Sequence, residues 1–132
     1  MIAKETVNKI WSNIQILNGL TTPDKHRPFS IVLVKDDRVK ILTGKKSSIT
    51  LWRSAFESTI KYLHENGVHG EKNRIEIRSN NDIKKAGPLC LAAREQRKTR
   101  VINYILPILS QLEIAKTKEG DGKENSTTWL VE

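Results

Sequence analysis

PLCLAAREQRKTRVINYILPILSQL, residues 88–112, is the stretch on which the fold turns. Pro88 suits the first turn of a helix because its missing N–H would have no intrahelical acceptor there, and Gly87 suits the tight approach to it. Leu89, Cys90, Ala92 and Ala93 supply an apolar side, so a short helix is predicted from Pro88 to about Glu95. The polar run Gln96-Arg97-Lys98-Thr99 interrupts that pattern. Val101, Ile105, Ile108, Leu109 and Leu112 then return at helical spacing, which predicts a second helix from about Thr99 to Leu112. Pro107 lies inside it, removing one backbone hydrogen bond and crowding the Asn103 carbonyl at a cost of roughly 3 kcal/mol, so a kink or break is expected there.

Working outward, Glu113–Lys118 and Thr127–Val131 read as two strands joined by a polar loop containing Gly120 and Gly122. Upstream, Ile49, Trp52, Phe56, Ile60 and Leu63 recur every three or four residues. A helix is therefore expected from a cap at Ser47 or Ser48 to Gly67. Arg74–Arg78 alternates as a short strand, and Ser79-Asn80-Asn81-Asp82 offers caps for a short helix over Ile83–Ala86.

Nearer the amino terminus, Val7, Ile10, Trp11, Ile14 and Leu17 predict an amphipathic helix over residues 3–18, with Gly19 as its left-handed end. Residues 29–34 and 38–42 flank Asp36-Asp37 and predict a hairpin. Its first arm is nearly all apolar and is expected to be buried on both faces, whereas its second alternates. The expected division is an amino-terminal helix and hairpin extension, residues 1–46, followed by a domain over residues 47–132. The overall class is α+β.

The chain of 132 residues is 37% hydrophobic and 29% charged, too apolar for a wholly disordered protein. Lys and Arg number 23 against 15 Asp and Glu, a net charge of +8 that favours polyanionic partners. No apolar run approaches the roughly 18 residues that span a bilayer, and the first residues lack a signal peptide's apolar core. A cytoplasmic protein without membrane contact is expected. The single cysteine, Cys90, sits in an apolar helical pattern and reads as core. His26, His64 and His69 are scattered without metal-ligand spacing, so neither metal nor cofactor is expected. Gly44-Lys45-Lys46-Ser47-Ser48 lacks the earlier glycine of a phosphate-binding loop, where Val39 stands instead. No nucleophile with an orienting base is identifiable, and no enzyme is expected.

From Ser47 onward the expected order is helix, strand, short helix, turn, helix, strand, polar loop, strand. This resembles the winged helix-turn-helix superfamily. The resemblance implies a DNA-binding protein whose recognition helix, residues 99–112, enters the major groove while the loop between the last strands forms a wing. Arg94, Gln96, Arg97, Lys98, Thr99, Arg100 and Asn103 would be its contact residues, with Lys116, Lys118 and Lys123 on the wing. Arg100 and Asn103 would face base edges, and Lys98 and Thr99 would hold phosphates. Basic side chains at a helix start oppose the macrodipole, which phosphates would offset.

Double-stranded DNA is the expected partner. The chain would act as a transcriptional regulator or as the recognition module of a restriction, repair or mobile-element system. The extension, absent from a minimal winged helix, would serve dimerisation or a partner. A winged-helix face that binds protein is the alternative of another class. RNA binding is a third, although most of the aromatics fit core patterns rather than a stacking platform.

Overall fold

The computed structural model describes residues 2–23, 26–121 and 125–131. The protein is mixed α+β, with an antiparallel four-stranded sheet, a smaller three-stranded sheet and four α-helices. Helix α1 spans Ile2–Asn13 and tightens into a 3-10 turn over Ile14–Ile16. Gly19 follows in the left-handed region, where a side chain would be strained.

Strands β1 (Leu20–Thr21), β2 (Pro28–Val34), β3 (Arg38–Thr43) and β4 (Ser48–Trp52) form the larger sheet in that order. The expected hairpin is β2–β3, with Val34 opposite Val39 and Phe29 opposite Thr43. Along β3, Val39 and Ile41 are buried while Arg38 and Lys40 are partly exposed, the alternation of a sheet with one covered face.

The expectation that β2 is buried on both faces is overturned. The register shifts between Ile31 and Leu33, and Val32 and Leu33 are 55% and 39% exposed. A bulge adds a residue that has no partner across the ladder and turns the chain, so an apolar run need not be a buried one.

The helix expected from Ser47 or Ser48 is corrected too. Ser48–Trp52 is strand β4, paired with β3 from Leu42↔Ser48 to Arg38↔Trp52. Helix α2 begins at Arg53 and ends at Glu65. Ile49 fits the helical spacing by coincidence, and the cross-strand pairs Ile49↔Ile41 and Leu51↔Val39 decide the matter. Gly67 closes α2 as expected, its N–H reaching the His64 carbonyl at 3.1 Å and that of Val68 the Leu63 carbonyl at 3.0 Å. The boundary drawn between residues 46 and 47 falls in the turn between β3 and β4, which are neighbours in one sheet.

Helix α2 packs between α1 and α3, the latter spanning Pro88–Arg94. Its Phe56, fully buried, meets Trp11 of α1 edge-on at 5.2 Å. Strand β5 (Ile75–Glu76) precedes α3. No helix forms over Ile83–Ala86: residues 83–85 are a turn, organised by the Asp82 side chain and carbonyl, and Ile83 is 66% exposed. With Ile83 exposed, Ala86 small and two lysines between them, that segment has no face whose burial would offset ordering a helix.

Helix α4 spans Ile102–Gln111, beginning three residues later than expected and running through Pro107 without a break. Strands β6 (Ala115–Lys118) and β7 (Thr127–Leu130) follow, and the smaller sheet has the order β5-β7-β6. One buried cluster runs from Ala3 to Leu130 and draws on both sheets and all four helices. Among the described residues, no helix is long and apolar enough to cross a membrane.

Candidate nucleic-acid interface

The turn between α3 and α4 is built around Arg94. Its side chain belongs to the buried set, only 3% exposed, and every hydrogen bond it makes goes to a backbone carbonyl. Nε donates to Arg97 at 2.8 Å, Nη1 to Asn80 and Nη2 to Asn81 at 3.2 Å each, and Nη2 also to Lys98. A guanidinium spreads its donors in a fixed plane, which lets one side chain tie the turn to the 79–82 loop. Arg94, expected at the DNA surface, is therefore a framework residue. Its position at a helix end makes it look solvent-facing in sequence, and only the long-range contact with Asn80 and Asn81 reveals otherwise.

The same loop holds the next basic residue. Arg100 receives its place from both ends: its backbone N–H donates to Asn81 Oδ1 at 2.9 Å and its Nη1 to the Ser79 carbonyl at 3.2 Å. These bonds, together with those Arg94 makes to residues 97 and 98, hold the chain out of helical geometry and delay the start of α4. The loop itself is pinned where Arg78 crosses Gly87. A Cβ on Gly87 would lie 2.7 Å from that of Arg78, so the approach requires glycine.

Glu95 and Gln96 both adopt positive φ, 49° and 69°. Such conformations cost on the order of 1 kcal/mol or more in residues with a side chain and persist only where the surroundings enforce them. For Glu95 the enforcement is visible. Its carboxylate accepts from Ser54 at 2.7 Å, Ser58 at 2.9 Å and Arg97 at 2.8 Å. Partial burial pushes its pKa upward, but the hydrogen bonds from Ser54, Arg97 and Ser58 and the Arg97 charge outweigh that and hold it below the ordinary carboxylate value. Arg97 in turn lies over the Trp52 ring at 5.2 Å from its centroid, with Arg38 over the same ring at 5.4 Å.

Two clefts flank the start of β4. The smaller, about 240 Å³, lies between Ser48, Ile49, Thr50 and Trp52 on one side and Arg97, Lys98 and Thr99 on the other. The larger, about 620 Å³, opens between the β3–β4 turn and the start of α4, and Arg27, Lys45, Ser47, Ser79, Arg100, Asn103 and Tyr104 are among its walls. Ile49 lines both. Among the described residues, neither cleft has a carboxylate in its lining, while Arg94, Arg97, Lys98, Arg27, Lys45 and Arg100 all contribute to one or the other.

The expected site residues are thus divided. Lys98 and Thr99 are exposed in the smaller cleft, and Gln96 is exposed beside it. Arg97 is surface-exposed but already paired with Glu95. Arg100 and Asn103 are half-buried walls of the larger cleft. Lys116 and Lys118 are exposed on β6 and line neither cleft, and Lys123 lies outside the described residues.

Helix α4 differs most from its expected role. Six of its ten residues are buried, including Ile102 and Leu106, which widen the predicted stripe beyond its Leu109 edge. It packs against β1 as well as β6, and Tyr104 meets Phe29 of β2 edge-on at 5.3 Å. A helix apolar on most of its circumference is a core helix, and the amino-terminal sheet covers the side that would face a groove.

Sequence reasoning did not carry Arg27, Lys45, Trp52 or Ser79 into the site. The run Gly44-Lys45-Lys46-Ser47-Ser48 carried a usable signal as a basic turn, whereas Arg27 and Ser79 sit in unremarkable polar stretches. No protein-family model, curated protein or solved structure matches this chain.

Proposed function

We propose that the protein binds nucleic acid, duplex DNA in the first place, through the basic surface formed by the 96–100 turn and the β3–β4 turn. The observation that carries this is the pair of adjoining clefts walled by cations with no carboxylate among the described residues. Arg97 has a counter-charge in Glu95 and Arg94 is spent on backbone carbonyls, but the remaining like charges gathered there cost free energy in the isolated protein, and a phosphate backbone offsets it while releasing its own condensed cations.

The carboxy-terminal part, in the same reading, is a winged helix-turn-helix. Support comes from the order α2, β5, α3, α4, β6, β7, with β7 central in an antiparallel sheet. Burial of α4 changes how such a module would be used: contact is made by the turn before the helix and by the β3–β4 turn, not by a helix laid in the major groove.

Fluorescence anisotropy with a labelled duplex tests the proposal. Affinity is expected to fall roughly a hundredfold or more between about 50 and 200 mM salt if several phosphates are contacted. Absence of binding to duplex DNA and duplex RNA alike at the lower salt would refute it.

A further inference from the structure

Among the described residues, two side-chain atoms are buried without a hydrogen-bond partner, Ser79 Oγ and Asn103 Oδ1, and both residues belong to walls of the larger cleft. Orphaned polar atoms are rare in folded proteins, because a buried group that gives up water normally finds another partner. Here two occur in residues that wall one cleft, each atom being itself covered. Next to Asn103 in the same wall is Tyr104, held edge-on by Phe29 with ring planes at 84°. Arg27, Lys45 and Arg100 add positive charge around them.

An aromatic ring, an amide and a hydroxyl with unused hydrogen-bonding capacity, and cations at the margin are the chemistry that recognises a nucleotide. The base stacks on an aromatic face and its polar edge meets the amide and hydroxyl, while the phosphate takes the cations. The cavity of about 620 Å³ is of the size that encloses a small organic ligand.

We infer that the larger cleft receives a single nucleotide turned out of the bound duplex. The inference rests on the nucleic-acid function proposed above and adds a pocket for one base. Asn103 Oδ1 accepts from an amino or ring N–H of that base, and Ser79 Oγ donates to a ring nitrogen or carbonyl, each after rotation of its side chain toward the cavity. Because Ile49 borders both clefts, a duplex held at Lys98 in the smaller one has its next nucleotides at the mouth of the larger.

Turning a base out is easiest where its pairing is already broken. The test is competition binding of a fully paired duplex against the same duplex with one central mismatch, alongside titration of a free deoxynucleoside monophosphate. Wild-type protein is expected to prefer the mismatched duplex by about tenfold, and Asn103→Leu to abolish that preference. Lys45→Glu, at an exposed position, is expected to reduce it as well and serves if Asn103→Leu does not fold.

Saturable binding of the monophosphate, lost in Lys45→Glu, without a mismatch preference would overturn the turned-out base and leave the pocket to a free nucleotide. Equal affinity for both duplexes together with no monophosphate binding would overturn the inference and leave duplex binding standing. A mismatch preference that survives in both folded variants would also overturn it, assigning the effect to the duplex's own deformability. Failure to bind even the fully paired duplex at low salt would instead remove the function on which the pocket depends.

Discussion

Arg94 and Asn80 are 14 residues apart in sequence, and the guanidinium Nη1 of the first donates to the backbone carbonyl of the second at 3.2 Å. This one contact joins the end of α3 to the loop before it. The same side chain also holds the carbonyls of Asn81, Arg97 and Lys98, so the turn and the loop form a unit that neither could form alone.

Replacing Arg94 by Ala should therefore destabilise the protein by about 3 kcal/mol, because several carbonyls lose a charged donor in a buried place. Arg94→Lys should recover little of the loss, since an ammonium cannot span acceptors arranged around a planar fork. Urea denaturation of both variants measures this. A lysine variant as stable as the wild type would show that charge alone, and not the fork, holds the turn.

Glu95 links the turn to α2, and its lowered pKa gives that link a pH dependence. A carboxylate whose folded pKa lies below its unfolded value adds stability that is complete above the ordinary value of 4.5 and disappears as pH falls through the folded pKa. Unfolding measured from neutral pH down to about pH 3 should show a steeper acid decline for wild-type protein than for Glu95→Gln. Parallel curves would mean that the bonds from Ser54, Ser58 and Arg97 do not favour the ionised carboxyl over the neutral one.

The end of α2 and the start of α3 were legible in sequence because Gly67 and Gly87-Pro88 punctuate the chain there, and the apolar spacing beside those marks is helical. β4 was not, since Ile49, Trp52 and Phe56 satisfy a helical period and the competing signal is the pairing partner β3, which no local pattern reveals. The burial of α4 was half legible. Ile102 and Leu106 stand outside the stripe through Val101, Ile105, Ile108 and Leu109, and together they make a helix apolar on most sides. The basic turn was visible as composition, but which of its cations are free was not. Arg94 is committed to the framework and Arg97 to Glu95, whereas Lys98 is left to solvent.

That division gives a direct comparison of the turn with the wing. Lys98→Ala should lower the slope of log affinity against log salt by about one, the signature of one lost phosphate contact. Lys116→Ala, on a strand that lines neither cleft, should leave the slope as it is. The reverse pattern would move the interface to the β6–β7 wing.

Whether α4 enters a groove can be decided by hydrogen exchange. For it to do so, β1 and β2 would have to leave the helix, breaking the contact of Tyr104 with Phe29 and uncovering side chains that are now buried. Exposing several such residues costs on the order of 2 kcal/mol each, more in total than the roughly 1–3 kcal/mol that one good base contact contributes. The sheet should therefore stay in place, and amides of Ile105, Leu106, Ile108, Leu109 and residues 29–31 should keep their protection when duplex DNA is added, while those of residues 96–100 gain it. Loss of protection in β2 on addition of DNA would show instead that the amino-terminal sheet is a cover that lifts, and that α4 is read by DNA only after it has done so.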